Sequence, residues 1–349
     1  MSRKNIIALV IMIALGGLIF WQEARETDFQ QVQHGLANLQ WIWLVVALVV
    51  MLFSFIAESL VLKTLIEKPN EPKQPAWNFL RVPPIQALFN AITPFSSGGQ
   101  PAQLVALLQV GYEGGRASSV LLMKFIIYQL MVLINFVLTM LIGFRQVMAQ
   151  FSGLALLIGF GFTIHIVTIG TLLMIMFYYR FTKGLVQGFF NLLGRFVHSP
   201  KVERWSANAM QKIETFHDES IQLNREKKKV IQAAILTMLQ LIAYYLIPYF
   251  VLLALNIPHV NLLAVFSMHV MIVMITSIFP IPGGTGGAEY SFKTLFATFI
   301  PGQTALILGM LLWRLITFYL GMVLGIVAMG THPKRVFKKQ TKQEDMNIQ

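Results

Sequence analysis

Two stretches of this 349-residue chain set backbone-breaking and polar residues inside apolar sequence. Residues 277–292, SIFPIPGGTGGAEYSF, bring together Pro280, Pro282, Gly283, Gly284, Gly286, Gly287 and Glu289. Residues 91–103, AITPFSSGGQPAQ, break at Pro94 and Gly98-Gly99 and restart beside Gln100. Proline removes an amide donor and glycine favours other backbone conformations, so no continuous helix runs through either stretch. A helix that restarts after such a break presents unpaired amides and the positive end of its dipole, which suits a phosphate or a carboxylate. Pro101 fits the first helical position after the first break, and Ala288-Glu289 the first turn after the second. Glu289 can also fill that place itself as a helix cap, and both readings stand. Arg314, in LLWRLITFYLG, has a permanent charge and a planar fork able to hold a phosphate through two N–H groups. Its structural alternatives are an ion pair with Glu289 or a reach toward the membrane interface.

The candidate substrate-binding set is therefore Asn90, Pro94, Ser97, Gly98, Gly99, Gln100, Pro282, Gly283, Gly284, Gly286, Glu289 and Arg314. Other ionisable groups in apolar runs are Glu58, Lys124, His165, His269 and Lys293. Such groups are costly at membrane depth and face the protein interior. Glu58 and Lys124 read as mutual neutralisers, and the two lone histidines as hydrogen-bonded packing residues. Seven scattered histidines show no metal-ligand spacing, and zero cysteines exclude thiolate sites and disulfides. There is no P-loop, no GxSxG elbow and no clustered carboxylate pair; GGTGG follows no nucleotide-fold strand. No catalytic residue, metal or cofactor is expected.

The elements that must position these residues follow from composition. Hydrophobic residues make up 56%, charged residues only 12%, and mean hydropathy is +0.66. Apolar runs of bilayer length occur at residues 6–21, 41–62, 118–144, 153–178, 230–255 and 303–329, predicting about six spans. The first lacks a small-residue cleavage site and reads as a retained helix. The net charge of +12 sits mostly in loops and tails, which speaks for orientation and anionic lipid heads, not nucleic acid. Residues 180–229 hold ten Lys/Arg against five acids and read as a cytoplasmic basic loop. That loop opens with an amphipathic interfacial helix bearing Phe189, Phe190, Leu193, Phe196 and Val197. The run REKKK at 225–229 reads as the solvated start of the next span.

Charge asymmetry puts both termini in the cytoplasm. The first broken segment, about 84–111, must then begin and end inside, and the second, about 261–300, must begin and end outside. Span, re-entrant segment, span thus occurs twice in opposite orientation, the inverted-repeat plan of many secondary transporters. The fold expected is an all-α integral membrane protein with two Gly/Pro-broken re-entrant segments. Residues 1–333 form the membrane domain and 334–349 a basic-polar cytoplasmic tail.

The motifs PFSSGGQPAQ, IPGGTGGAE and WRLITFYLGMVLG resemble the flippase-like membrane domain of lysylphosphatidylglycerol synthases, in the stand-alone form called UPF0104. The PGGxGxxE…R pattern falls on Pro282, Gly283, Gly284, Gly286, Glu289 and Arg314. The resemblance covers nearly the whole chain and implies a membrane domain that moves or handles lipids. The chain departs from the full synthases in lacking their soluble aminoacyl-transferase domain, so lipid lysylation is not expected of it. Gln100 stands where the family pattern often has an acid. The function expected is a lipid transporter or flippase holding a phospholipid or lipid-phosphate head between the two broken segments. The alternative is a membrane-embedded transferase, or an accessory subunit of one, with Glu289 as the candidate base; a non-transporting scaffold is the third class. Expected partners are membrane lipids (an anionic phospholipid or a polyprenyl phosphate), no nucleic acid, and, as an open alternative, a second copy in a homodimer. The expected location is the bacterial plasma membrane.

Overall fold

The computed structural model describes residues 35–69, 71–142, 152–196 and 200–333, all as helices, turns and connections, with no strand among them. In chain order the helices are α1 (Trp41–Ile66), α2 (Val82–Ile92), α3 (Gly99–Val110) and α4 (Gly114–Ile142). Then come α5 (Ser152–Phe177), α6 (Tyr179–Phe196), α7 (Pro200–Arg225) and α8 (Lys227–Ala254). The last are α9 (Leu262–Thr276), α10 (Gly287–Phe296), α11 (Gln303–Arg314) and α12 (Leu320–Gly330). A π-helical turn, Leu315–Tyr319, joins α11 to α12, so Gln303–Gly330 runs as one span. Five helices are long and apolar enough to cross a bilayer: α1, α4, α5, α8 and this last one. The expected span at 6–21 and the tail at 334–349 lie outside the described residues.

The spans are apolar all round because they have two apolar surroundings to satisfy. On α1, Ile42, Val45, Val49, Phe53 and Ile56 are exposed while Ala47, Met51, Ser54, Glu58 and Leu62 are buried. Hydrocarbon is as apolar as a leucine core, so the outward face carries no penalty and small residues gather where helices touch.

Both broken segments form as expected. In the first, Arg81 bonds Gln109, Gln86 bonds Gln103, and Asn90 bonds Gly99. These pairs converge on the break, so α2 and α3 are antiparallel arms of one hairpin. In the second, α9 packs on α10 across the break at 277–286. The two break tips, Pro94–Ser96 and Pro282–Gly284, touch each other.

The halves match in register. Three landmarks of the second half lie 188 positions after those of the first: Ile66 and Ala254 end the leading spans, Pro94 and Pro282 open the break turns, and Gly99 and Gly287 start the second arms. The leading spans α1 and α8 lie antiparallel along their length. Gln40 N donates to Ala254 O at 2.9 Å at one end, Ser54 Oγ to Gln240 O at 3.4 Å in the middle, and Lys229 Nζ to Glu67 O at 2.7 Å at the other end. Equivalent elements therefore run in opposite directions, and the repeat is inverted.

The polar segment at 180–229 is more ordered than its composition suggests. It forms two helices, α6 and α7, and α7 packs along α4 with Ser119 Oγ and Ser220 Oγ 2.9 Å apart and Lys68 bridged to Glu219 at 2.8 Å. On α6, Leu185, Phe189 and Leu192 are exposed, and the Phe189 and Phe190 rings meet edge-on at 5.6 Å. The side chains of Leu193, Arg195, Phe196 and Val197 lie outside the described residues. Of the REKKK run, Arg225 ends α7 and Lys227, Lys228 and Lys229 begin α8, with Lys229 bridged to Glu226 at 2.5 Å.

Candidate functional site

Each break opens on a proline and continues with two residues in the left-handed region. In the second these are Gly283 (φ 65°) and Gly284 (φ 63°), where glycine is at ease. In the first they are Phe95 (φ 53°) and Ser96 (φ 52°), a strained choice of the kind found at ligand sites. Both turns line a cavity of about 670 Å³ whose walls also include α1, α4, α5, α8 and α11.

Of the residues selected from sequence, Asn90, Ser97, Gln100, Gly283, Gly284 and Arg314 line this cavity. Pro94, Gly98, Gly99, Pro282, Gly286 and Glu289 do not; they shape the turns and restart the helices behind its wall.

At each break the chain itself caps part of the restarting helix end. At the first break, Gly98 N–H donates to Thr93 Oγ1 at 2.8 Å and Gly99 N–H to Asn90 Oδ1 at 3.0 Å. Gly99 sits so close that a methyl group there would collide with Asn90. At the second break, Gly286 N–H donates to Glu289 Oε2 at 2.6 Å, so the carboxylate serves as the cap. The anion favoured by the helix dipole is supplied from within the chain in one case, and a neutral oxygen suffices in the other.

Glu289 has a second partner. Arg314 Nε–H donates to its Oε1 at 2.7 Å, with both side chains nearly buried. The guanidinium is flanked by the rings of Trp313 and Phe318, 5.2 and 5.0 Å from their centres. Phe292 stacks on Trp313 at 5.0 Å, and Trp313 Nε1–H donates to His269 Nε2 at 3.2 Å, so the ring wall is itself held. Arg314 Nη2 is buried without a hydrogen-bond partner. The π turn follows Arg314 at once; such turns interrupt helices frequently at functional sites.

The other charged pair in the cavity is closed. Lys124 Nζ donates to Glu58 Oε1 at 2.6 Å, Gln103 Oε1 at 2.8 Å and Gln86 Oε1 at 3.2 Å, which uses all three ammonium hydrogens. Gln103 also donates to Gln86, and Gln240 Nε2 to Glu58 Oε2 at 3.4 Å. Gln86, Gln103 and Gln240 are members of this cluster that sequence reasoning did not select; each is a glutamine in an apolar run, and only the fold shows that the first two converge on the Lys124 ammonium and the third on Glu58.

The histidines divide. His269 fits the packing reading, with Nε2 on the Trp313 indole and Nδ1 3.3 Å from Tyr245 O. His165 does not: it is 5% exposed, it lines the cavity, and neither ring nitrogen has a partner. Gln129 Oε1, on the same cavity, is also unpaired. Among the described residues no group of three His, Asp or Glu side chains is placed to hold a metal.

The comparisons with known proteins agree with this architecture. The profile of the lysylphosphatidylglycerol synthase TM region matches residues 5–325. A UPF0104 membrane protein of Archaeoglobus fulgidus is 25% identical over 335 residues, covering 93% of this chain and 95% of the relative. Five apolar helices, two broken hairpins and a match running nearly end to end establish a multi-pass membrane protein, and the chain belongs to the lysylphosphatidylglycerol synthase TM region family.

Proposed function

We propose that this protein binds the phosphate-bearing head of a membrane lipid in the cavity between the two breaks and carries it across the bilayer while the acyl or prenyl tails remain in hydrocarbon. The observation that carries the reading is Arg314: a buried guanidinium on the cavity wall whose Nη2 has no protein partner. A buried unpaired donor costs about 1–3 kcal/mol, more when charged, and a phosphate oxygen removes that cost through a charge-assisted bond. The inverted repeat supports the same reading, since it can present one site alternately to either leaflet. Glu289, the carboxylate offered as a base for lipid chemistry, is already held by Gly286 and Arg314, which favours transport over transfer. The lipid partners, a bacterial plasma-membrane location and cytoplasmic termini belong to this proposal.

The test is lipid translocation in vesicles reconstituted with purified protein. Arg314→Lys keeps the charge but loses the fork, and partial activity is expected; Arg314→Gln loses both, and near-complete loss is expected. The alternative, that Arg314 only neutralises Glu289, predicts recovery in the double variant Glu289→Gln with Arg314→Gln. Recovery of translocation there would reject the phosphate role.

A further inference from the structure

His165 has no function in the site just described, yet it is the most exceptional polar side chain on the cavity wall. Its α5 neighbours Ile164 and Thr168 line the same cavity, so this face of the helix is aimed inward. The ring is buried and both nitrogens lack partners.

The charges around it can be counted. Glu58, Lys124 and Arg314 line the cavity, and Glu289 is bonded to Arg314 from behind the wall, so the two ion pairs sum to zero. A phosphodiester entering this space adds one negative charge that Glu289 prevents Arg314 from balancing alone. Uncompensated charge at low dielectric is expensive. The groups facing the site differ in what they can do about it. Lys124 is already charged and saturated. Tyr128 and Tyr244, also on the wall, can only become negative. His269, on α9, has both nitrogens engaged by Trp313 and Tyr245, so a proton there would displace the indole. From α6 and α7, Tyr179, Lys183, Glu214 and His217 meet one another outside the cavity lining. Arg116, at the start of α4, is bound to Glu71. That leaves His165, which can gain a proton without breaking any bond present.

We propose that His165 is a proton site linked to the anion site at Arg314, so that a monoanionic phosphodiester head and one proton occupy the cavity together. The step forms one N–H bond on the imidazole with a proton drawn from water and breaks none in the protein. The empty ring stays neutral because an unpaired buried cation is costly; the bound anion removes that cost. Linkage then requires that protons strengthen lipid binding and lipid strengthens proton binding by the same factor. A proton gradient thereby acquires a handle on lipid movement. The inference rests on the phosphate reading of Arg314.

The experiment uses the full chain in detergent, with Trp21, Trp41, Trp43, Trp77 and Trp205 replaced by Phe so that Trp313 reports binding. The probe is dihexanoylphosphatidylglycerol, and dihexanoylphosphatidylcholine serves as the head without net charge. The expected result is a Kd for the anionic probe that tightens by up to about tenfold per pH unit as pH falls through the His165 titration. Close to one proton should be taken up per lipid bound, read with an indicator dye in weak buffer. His165→Asn should bind with a Kd independent of pH and no uptake, while Arg314→Gln should bind poorly at every pH. A flat pH profile in the parent, or uptake that survives in His165→Asn, overturns the proton site and leaves the phosphate reading standing. Binding unaffected by Arg314→Gln overturns the phosphate reading, and the linkage falls with it.

Discussion

At the first break Lys124 has an acceptor for each of its three N–H bonds, whereas at the second Arg314 gives one N–H to Glu289 and keeps Nη2 bare. The two sites have equal formal charge, one acid and one base each, and share a backbone plan of proline, two left-handed residues and a restarting helix. What separates them is saturation. Gln86, Gln103 and Gln240 complete the bonding of the first pair, whereas among the described residues Glu289 bonds Gly286 and Arg314, and Arg314 bonds Glu289. The first pair acts as a rivet between α1, α4 and the hairpin; the second leaves a donor unused, at Arg314 Nη2. An unused donor on the cavity wall distinguishes the second pair; Arg81, whose Nε and Nη1 are also buried without partners, lies off that wall.

That contrast can be broken in four ways, taken from the largest effect down. The first is all-or-none. If the repeat is inverted and only the break tips reach the interior, single cysteines at the exposed positions Gly111 and Pro301 should label from opposite faces of the membrane, without background because the chain has no cysteine. Labelling of both from one face would undo the symmetry on which the comparison rests.

The second concerns the rivet. Lys124→Met strands Glu58 as a buried, unpaired carboxylate, and breaking such a pair costs about 3–5 kcal/mol. A large fall in the thermal unfolding midpoint in detergent is expected, and the double change Glu58→Leu with Lys124→Met should return much of it. At the other pair, Glu289→Gln should lower the midpoint less, because Arg314 retains ring partners and access to the cavity. Equal losses at both pairs would show that the second is a rivet too.

The third compares the turns. Gly283→Ala places a side chain at φ 65° and against the Phe318 ring, and left-handed backbone alone costs about 1–2 kcal/mol for such a residue. Ser96→Gly, at φ 52°, should move stability the other way by relieving the same conformation. If Ser96→Gly also reduced lipid translocation, the strain would belong to function and not to tolerance. The smallest effect is the cap: Asn90→Ala removes the acceptor for Gly99 N–H and should cost about 1 kcal/mol, again read as a midpoint shift.

The sequence made several features legible because each has a signature of its own. Bilayer-length apolar runs gave α1, α4, α5, α8 and the last span; Pro and Gly pairs in apolar sequence gave both breaks; charge parity gave the inversion, which the antiparallel α1 and α8 bear out. The pairing of Glu58 with Lys124 and of Glu289 with Arg314 was also in reach, since unpaired charge is barely tolerated at that depth. Less legible was α7, because a polar helix that packs on a span has the composition of a loop.

The likeness of Gly-Gly–Gln and Gly-Gly–Glu does not mark the register of the repeat. Aligned by the turns, Gln100 corresponds to Ala288, and the acid Glu289 to Pro101. The side-chain likeness is one residue out of step with the turns, whose shared backbone shape Phe95-Ser96 and Gly283-Gly284 achieve with different residues.

By itself, then, the sequence determined the spans, the breaks, the inversion and which charges must find partners, since all of these follow from the cost of exposing peptide and charge to hydrocarbon. Tertiary structure alone decided which partners were sufficient. Whether an ammonium meets three oxygens or one, whether a helix-end amide is capped, and whether the imidazole of His165 finds a carbonyl depend on convergence of residues from helices far apart in the chain, to a tolerance of a few tenths of an ångström about a hydrogen-bond length, which no spacing along the sequence encodes.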